Sequence, residues 1–101
     1  MKTLCFDIDG TLCTLTGSDY DQAQPFKERI ELVNHYYDQG DYIILYTARG
    51  TTSGIDWQPV TEKQLYDWGV KYHKLMMGKP HYDVYICDKA INADEFFWKL
   101  K

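Results

Sequence analysis

Leu4-Cys5-Phe6-Asp7-Ile8-Asp9-Gly10-Thr11 is the stretch on which the reading of the whole chain turns. A candidate strand over residues 3–8 delivers two carboxylates two positions apart and meets a glycine at once. An isolated Asp-x-Asp is usually a solvated turn. Placed behind an apolar strand and ahead of Gly10-Thr11, it reads as a reaction centre. Gly10 lets the backbone turn without a side chain crowding a ligand, and Thr11 can hydrogen-bond within that turn.

Working outward, residues 11–24 are polar, rich in turn formers and without a steady period, so they read as a loop or small flap over the two aspartates. Pro25 suits the first turn of a helix, in which Phe26, Ile30, Val33 and Tyr37 form one buried stripe that stops at Gly40. Tyr42 to Tyr46 is strand-forming with an aliphatic centre, as expected of a strand covered on both faces. Asp56 is a candidate cap for a helix that carries Val60, Leu65 and Trp68 and stops at Gly69. Leu75 to Met77 reads as a third strand broken by Gly78-Lys79-Pro80, and Val84 to Cys87 as a fourth that ends on Asp88. Asn92, with Glu95 three residues on, is expected to cap a last helix bearing Phe96, Phe97 and Leu100. This alternation predicts an α/β fold, an open and mainly parallel sheet in one domain over residues 1–101. The insert between Gly10 and Pro25 is too short for a folded cap, which leaves the site open; Tyr20 and Asp21 stand where they would shape substrate preference or merely pack the loop.

In such sheets ligands bind beyond the carboxyl ends of the strands. Asp7 and Asp9 follow the first strand, Thr47 and Arg49 the second, Lys79 the third, and Asp88 ends the fourth. Four segments thus bring carboxylates, a hydroxyl and a cation to one rim. The chemistry that uses this set is phosphoryl transfer through an aspartyl phosphate. Asp7 and Asp88, with a backbone carbonyl near Asp9, suit a hard oxygen-seeking Mg²⁺ that offsets the repulsion between phosphate and carboxylate. Asp7 would attack phosphorus, and Asp9 would protonate the leaving alcohol and then activate water. Thr47 and the amides of Ile8 to Gly10 would donate to phosphoryl oxygens, while Lys79 supplies charge. Arg49, with Ala48 before it, reads equally as a phosphate contact and as a packing or ion-pairing residue.

These residues resemble the haloacid-dehalogenase-like (HAD) phosphatases. Asp7-Ile8-Asp9-Gly10-Thr11 is similar to their first motif, Thr47 to the second, Lys79 to the third and Asp88 to the fourth. The resemblance implies a minimal Rossmannoid three-layer fold. It also implies Asp7 as nucleophile and metal ligand, Asp9 as acid/base and carbonyl ligand, Thr47 and Lys79 as phosphate binders, and Asp88 as metal ligand. Tyr46-Thr47-Ala48-Arg49, Gly78-Lys79-Pro80 and Asp88-Lys89-Ala90-Ile91 further resemble small capless members associated with capsule or lipopolysaccharide biosynthesis, for which sugar phosphates are suspected substrates. That group often carries two adjacent aspartates in the fourth motif, where this chain has Cys87-Asp88. Asp94 reads as a supporting carboxylate or as part of a helix start.

Composition narrows the field. At 101 residues with 45% apolar content the chain supports one hydrophobic core. Its formal charge of −4 and its lack of a basic stripe disfavour nonspecific nucleic-acid binding. A nucleotide or polynucleotide phosphatase and a non-catalytic phosphate-binding or assembly protein are the alternatives to a sugar-phosphate hydrolase. Cys5, Cys13 and Cys87 lack zinc-ligand pairing and read as reduced, mostly buried residues of a cytoplasmic protein. His35, His73 and His81 lack ligand spacing. No signal peptide or membrane span is visible. The aromatic content offers more apolar surface than one small sheet hides, which favours a homo-oligomer.

Overall fold

The computed structural model describes residues 1–98. Three parallel strands, β1 (Thr3–Asp7), β2 (Tyr42–Tyr46) and β3 (Lys74–Met76), lie in chain order in one sheet. The helix α1 (Lys27–Asp38) links β1 to β2, α2 (Gln58–Asp67) links β2 to β3, and α3 (Ala93–Phe96) follows. Parallel neighbours require a crossover connection, and here each crossover is the helix that the apolar spacing predicts. Among the described residues no cap domain interrupts the chain: the insert after β1 holds one 3-10 turn, Tyr20–Gln22.

Pro25 lies ahead of the N-cap residue Phe26 and bridges to Cys13, so it precedes α1 and does not open it. Ile30 and Val33 are the buried residues of that helix. At the start of α2 the Asp56 carboxylate accepts the Gln58 N–H at 3.1 Å, although Trp57 holds the capping position. Asn92 caps α3 by accepting the Asp94 N–H at 2.9 Å. Asp94 lies in the first turn of α3 and its side chain pairs with Arg29 at 2.9 Å. Leu100 lies outside the described residues.

Strand register divides the sheet into two unequal faces. Leu4 lies opposite Ile43, and Phe6 and Leu75 flank Leu45; Ile43 and Leu45 are fully buried and Phe6 nearly so. Each such side chain contributes about 1.5–3 kcal/mol when removed from water, so this face anchors the core together with Ile30, Val33, Leu65 and Phe97. The other face carries Cys5, Asp7, Ile44, Tyr46 and Met76, of which Cys5 and Met76 are exposed and the rest only partly covered. The two-sided cover expected for β2 is therefore corrected to one complete face.

Residues 84–87 are irregular and exposed, which corrects the expected fourth strand. Tyr82 and Tyr85 pack around the Lys79 ammonium, with ring centroids 5.1 and 5.4 Å away. That anchor holds the segment at the strand ends, and β-propensity without a pairing partner does not override it. As a result Cys87 is exposed, and Cys5 is exposed on β1 at the sheet edge, so only Cys13 is a core cysteine. His73 has a packing role: its Nδ1 accepts the Ile43 N–H at 3.0 Å, and its ring stacks on Tyr37 and Tyr42. Among the described residues no helix is long and apolar enough to cross a membrane.

Candidate active site

The end of β1 and the turn after it position the two aspartates. The Ile8 carbonyl accepts the N–H groups of Thr11 and Leu12 at 3.1 and 2.8 Å, and the Gly10 N–H donates to the Cys13 carbonyl at 2.8 Å. Gly10 has φ +80°, a left-handed conformation that suits glycine. Arg29 fixes the outside of the turn by donating to the Thr11 carbonyl at 3.2 Å while lying between the rings of Phe26 and Phe97. The Ile8 and Gly10 amides expected to face phosphate are thus engaged within the chain, since Ile8 N–H donates to Asp7 Oδ1 at 2.9 Å.

Asp7 meets Lys79 at the rim, with Nζ 3.3 Å from Oδ2. Lys79 is delivered by the segment after β3, where its N–H donates to the Thr47 carbonyl at 3.0 Å. Thr47 in turn donates its N–H to the Met76 carbonyl at 3.0 Å, and its buried Oγ1 accepts the Arg49 N–H at 3.1 Å. Thr47 therefore stitches the ends of β2 and β3 together and holds Lys79 against Asp7. Thr51 adds a second stitch by donating its hydroxyl to the Lys79 carbonyl at 2.8 Å. Burial pushes the Asp7 carboxyl above its ordinary value, against the opposing pull of Lys79. For Lys79 burial acts downward, but hydrogen bonding to Tyr82 and the charge of Asp7 outweigh it, so its ammonium is held above its ordinary value.

Asp9 occupies a separate, deeper environment. Arg49 Nε donates to its Oδ2 at 2.9 Å and an Arg49 terminal nitrogen to its Oδ1 at 2.9 Å, a two-point clamp. The Arg49 side chain is wholly buried and that of Asp9 is 17% exposed. The other Arg49 terminal nitrogen donates to Thr61 Oγ1 at 3.1 Å and Gln64 Oε1 at 2.7 Å, and the Tyr20 ring lies 4.8 Å from the guanidinium carbon. Of the two open readings of Arg49, the structure therefore shows the ion pair. The chain can bend this sharply because Gly50 follows with φ +80°, where a Cβ would collide with the Ile55 carbonyl oxygen. Burial and the Asp9 charge push the Cys13 thiol up to about 12, which makes it a poor nucleophile.

Asp7, Asp9, Thr47, Arg49 and Lys79 are thus brought to one rim, with half-buried Ala48 between two of them. Asp88 is not: it lies on the exposed segment, with the Cys87 thiol 3.8 Å from its Oδ1. Among the described residues no group of three His, Cys, Asp or Glu side chains could hold a metal ion. The side chains of Asp7, Asp9 and Asp88 form no such group; at the rim a Mg²⁺ would be held by Asp7 and the Asp9 backbone carbonyl, with Asp88 apart on its exposed segment. Thr61, Gln64, Tyr82 and Tyr85 join the site without having been singled out in the sequence. Thr61 and Gln64 carried a signal, since they share the helical spacing of Leu65 and Trp68 and so reach the buried side of α2.

A crystallised protein from Vibrio cholerae is similar over 95% of this chain and 87% of its own, with 33% identity and a TM-score of 0.84. At that identity and coverage the two belong to one family. A chain of the Pnkp1/Rnl/Hen1 complex aligns with 97% of this chain at 26% identity and a TM-score of 0.63. A chain of the Pnkp1/Rnl/Hen1 RNA repair complex aligns with 97% at 22% identity and a TM-score of 0.62, a likeness of fold alone. The present chain spans about a third of each, 34% and 31%. No family model matches the chain, and no curated protein does.

Proposed function

We propose that the family shared with the Vibrio cholerae protein is one of HAD-like phosphatases, and that this chain hydrolyses a phosphate monoester of a small metabolite, most simply a sugar phosphate, with Mg²⁺ as its ion. The observation that carries the reading is the division between the aspartates: Asp7 at the rim against the single charge of Lys79, Asp9 in a buried two-point clamp two residues on. Two carboxylates in unlike environments are what nucleophile and proton carrier require.

In the first step an Asp7 oxygen bonds to phosphorus, the bond from phosphorus to the leaving oxygen breaks, and that oxygen takes a proton from the Asp9 carboxyl. In the second, water attacks phosphorus as its proton passes to Asp9, the Asp7–phosphorus linkage breaks, and phosphate leaves with Asp9 again protonated. Lys79 and the Thr47 hydroxyl would stabilise the charge that gathers on the phosphoryl oxygens. With Asp9 carrying the proton for the first step, Asp7 against Lys79 and Arg49 leaves one positive charge at the site, less than a dianionic phosphate brings. A dianionic phosphate therefore gains from added positive charge, which supports dependence on a divalent cation.

The test is phosphate release from a panel of sugar phosphates, nucleotides and 3'-phosphorylated oligonucleotides, with Mg²⁺ and with EDTA, and with Asp7→Asn as control. Release from sugar phosphates that needs Mg²⁺ and disappears in the variant is the expected result. Preference for a nucleotide or oligonucleotide would replace the substrate class, and binding without turnover would replace the enzyme with a phosphate-binding protein.

A further inference from the structure

We infer that Arg49 is a positioning residue for Asp9, selecting the carboxylate oxygen that handles the proton, and that Gln64 braces it against the insert after β1. The inference rests on the phosphatase reading and deepens it. A carboxylate offers about four lone-pair sites. Arg49 takes one on each oxygen, at 2.9 Å in both cases, and the Cys13 thiol lies 3.5 Å from Oδ1. Only Oδ2 keeps a second site without a neighbour among these contacts, so Oδ2 is the oxygen presented to a leaving group or a water.

The guanidinium cannot swing away to bind substrate. All three of its nitrogens are committed, to Asp9, Thr61 and Gln64, and the side chain is wholly buried. Gln64 is the strut of this arrangement: its Oε1 accepts from Arg49 at 2.7 Å while its Nε2 donates to the Tyr20 carbonyl at 2.6 Å. Tyr20 closes the triangle with its ring over the guanidinium and in a T-shaped pair with Trp57, the ring centroids 5.0 Å apart. The insert thereby reaches the proton carrier through two contacts, and displacement of Tyr20 would turn Asp9. Lysine in place of Arg49 keeps the charge but loses the planar fork.

Arg49→Lys and Gln64→Met are compared with the wild type on an alkyl phosphate and on 4-nitrophenyl phosphate, whose leaving group needs little protonation. For the alkyl ester Arg49→Lys is expected to lower kcat by about 10²-fold with KM nearly unchanged, the scale of a small misplacement of a reacting group. The nitrophenolate burst from the aryl ester should survive. Gln64→Met should show the same split with a smaller loss, and it keeps the clamp if Arg49→Lys does not fold. A rise in KM at constant kcat, or equal loss of burst and alkyl turnover in both variants, overturns the positioning role while leaving the phosphatase intact. Wild-type protein inactive on both esters overturns the phosphatase reading, and the role with it.

Discussion

Asp7 is the residue at which stability and the proposed function oppose each other. Burial raises its carboxyl above the ordinary value, so the folded chain holds that proton more tightly than the unfolded chain does. The favourable contribution is complete below the ordinary carboxylate value of about 3.9 and is lost as pH rises through the raised folded value. Neutral pH lies on the unfavourable side. Asp7→Asn should therefore raise the thermal midpoint at pH 7 while abolishing turnover, with the gain shrinking toward pH 3. Scanning calorimetry at the two pH values checks this, and a lower midpoint at pH 7 would contradict it. Lys79 acts in the opposite range: its raised value keeps its contribution in place through neutrality, and it is lost only as pH climbs through that value. Strand ends made Asp7, Asp9, Thr47 and Lys79 legible in the sequence, because a rim position follows from the chain's own alternation. The partner of Arg49 was not legible, since a charge that pairs 40 residues away leaves no local pattern.

At the level of elements, the helices and the first three strands were legible because each carries its own period or an unbroken apolar run. Val84 to Cys87 was read as a strand on the same grounds and is not one, because a strand exists only through its neighbour and the tyrosine contacts with Lys79 are made instead. The three cysteines report on this difference. With a thiol reagent under native conditions, Cys87 should react first because it is exposed on that segment. Cys5 should follow more slowly, since burial raises its thiol even at the sheet edge. Cys13 should be protected until the chain unfolds. Mass spectrometry of the labelled peptides over time gives the order. Protection of Cys87 equal to that of Cys13 would place the segment in the core.

For the whole molecule the question is what covers the surface that the fold leaves apolar. Val84, Ile86 and Ile91 are 72%, 91% and 63% exposed, and the thinly covered sheet face adds Cys5 and Met76. An open edge strand beside such a surface is a template for a second chain. A domain of this size also buries a smaller share of its surface than a larger one, so burial between copies adds proportionately more to its stability. The chain is accordingly expected to self-associate, despite a charge of −4 that opposes close approach and favours association at higher salt. Sedimentation equilibrium across a concentration series should show a mass above one chain, with a thermal midpoint that rises with concentration. Ile86→Asp, which places a charge on the most exposed of these side chains, should shift both toward the monomer. A mass of one chain at every concentration, with a constant midpoint, would leave this apolar surface uncovered in solution and end the oligomer.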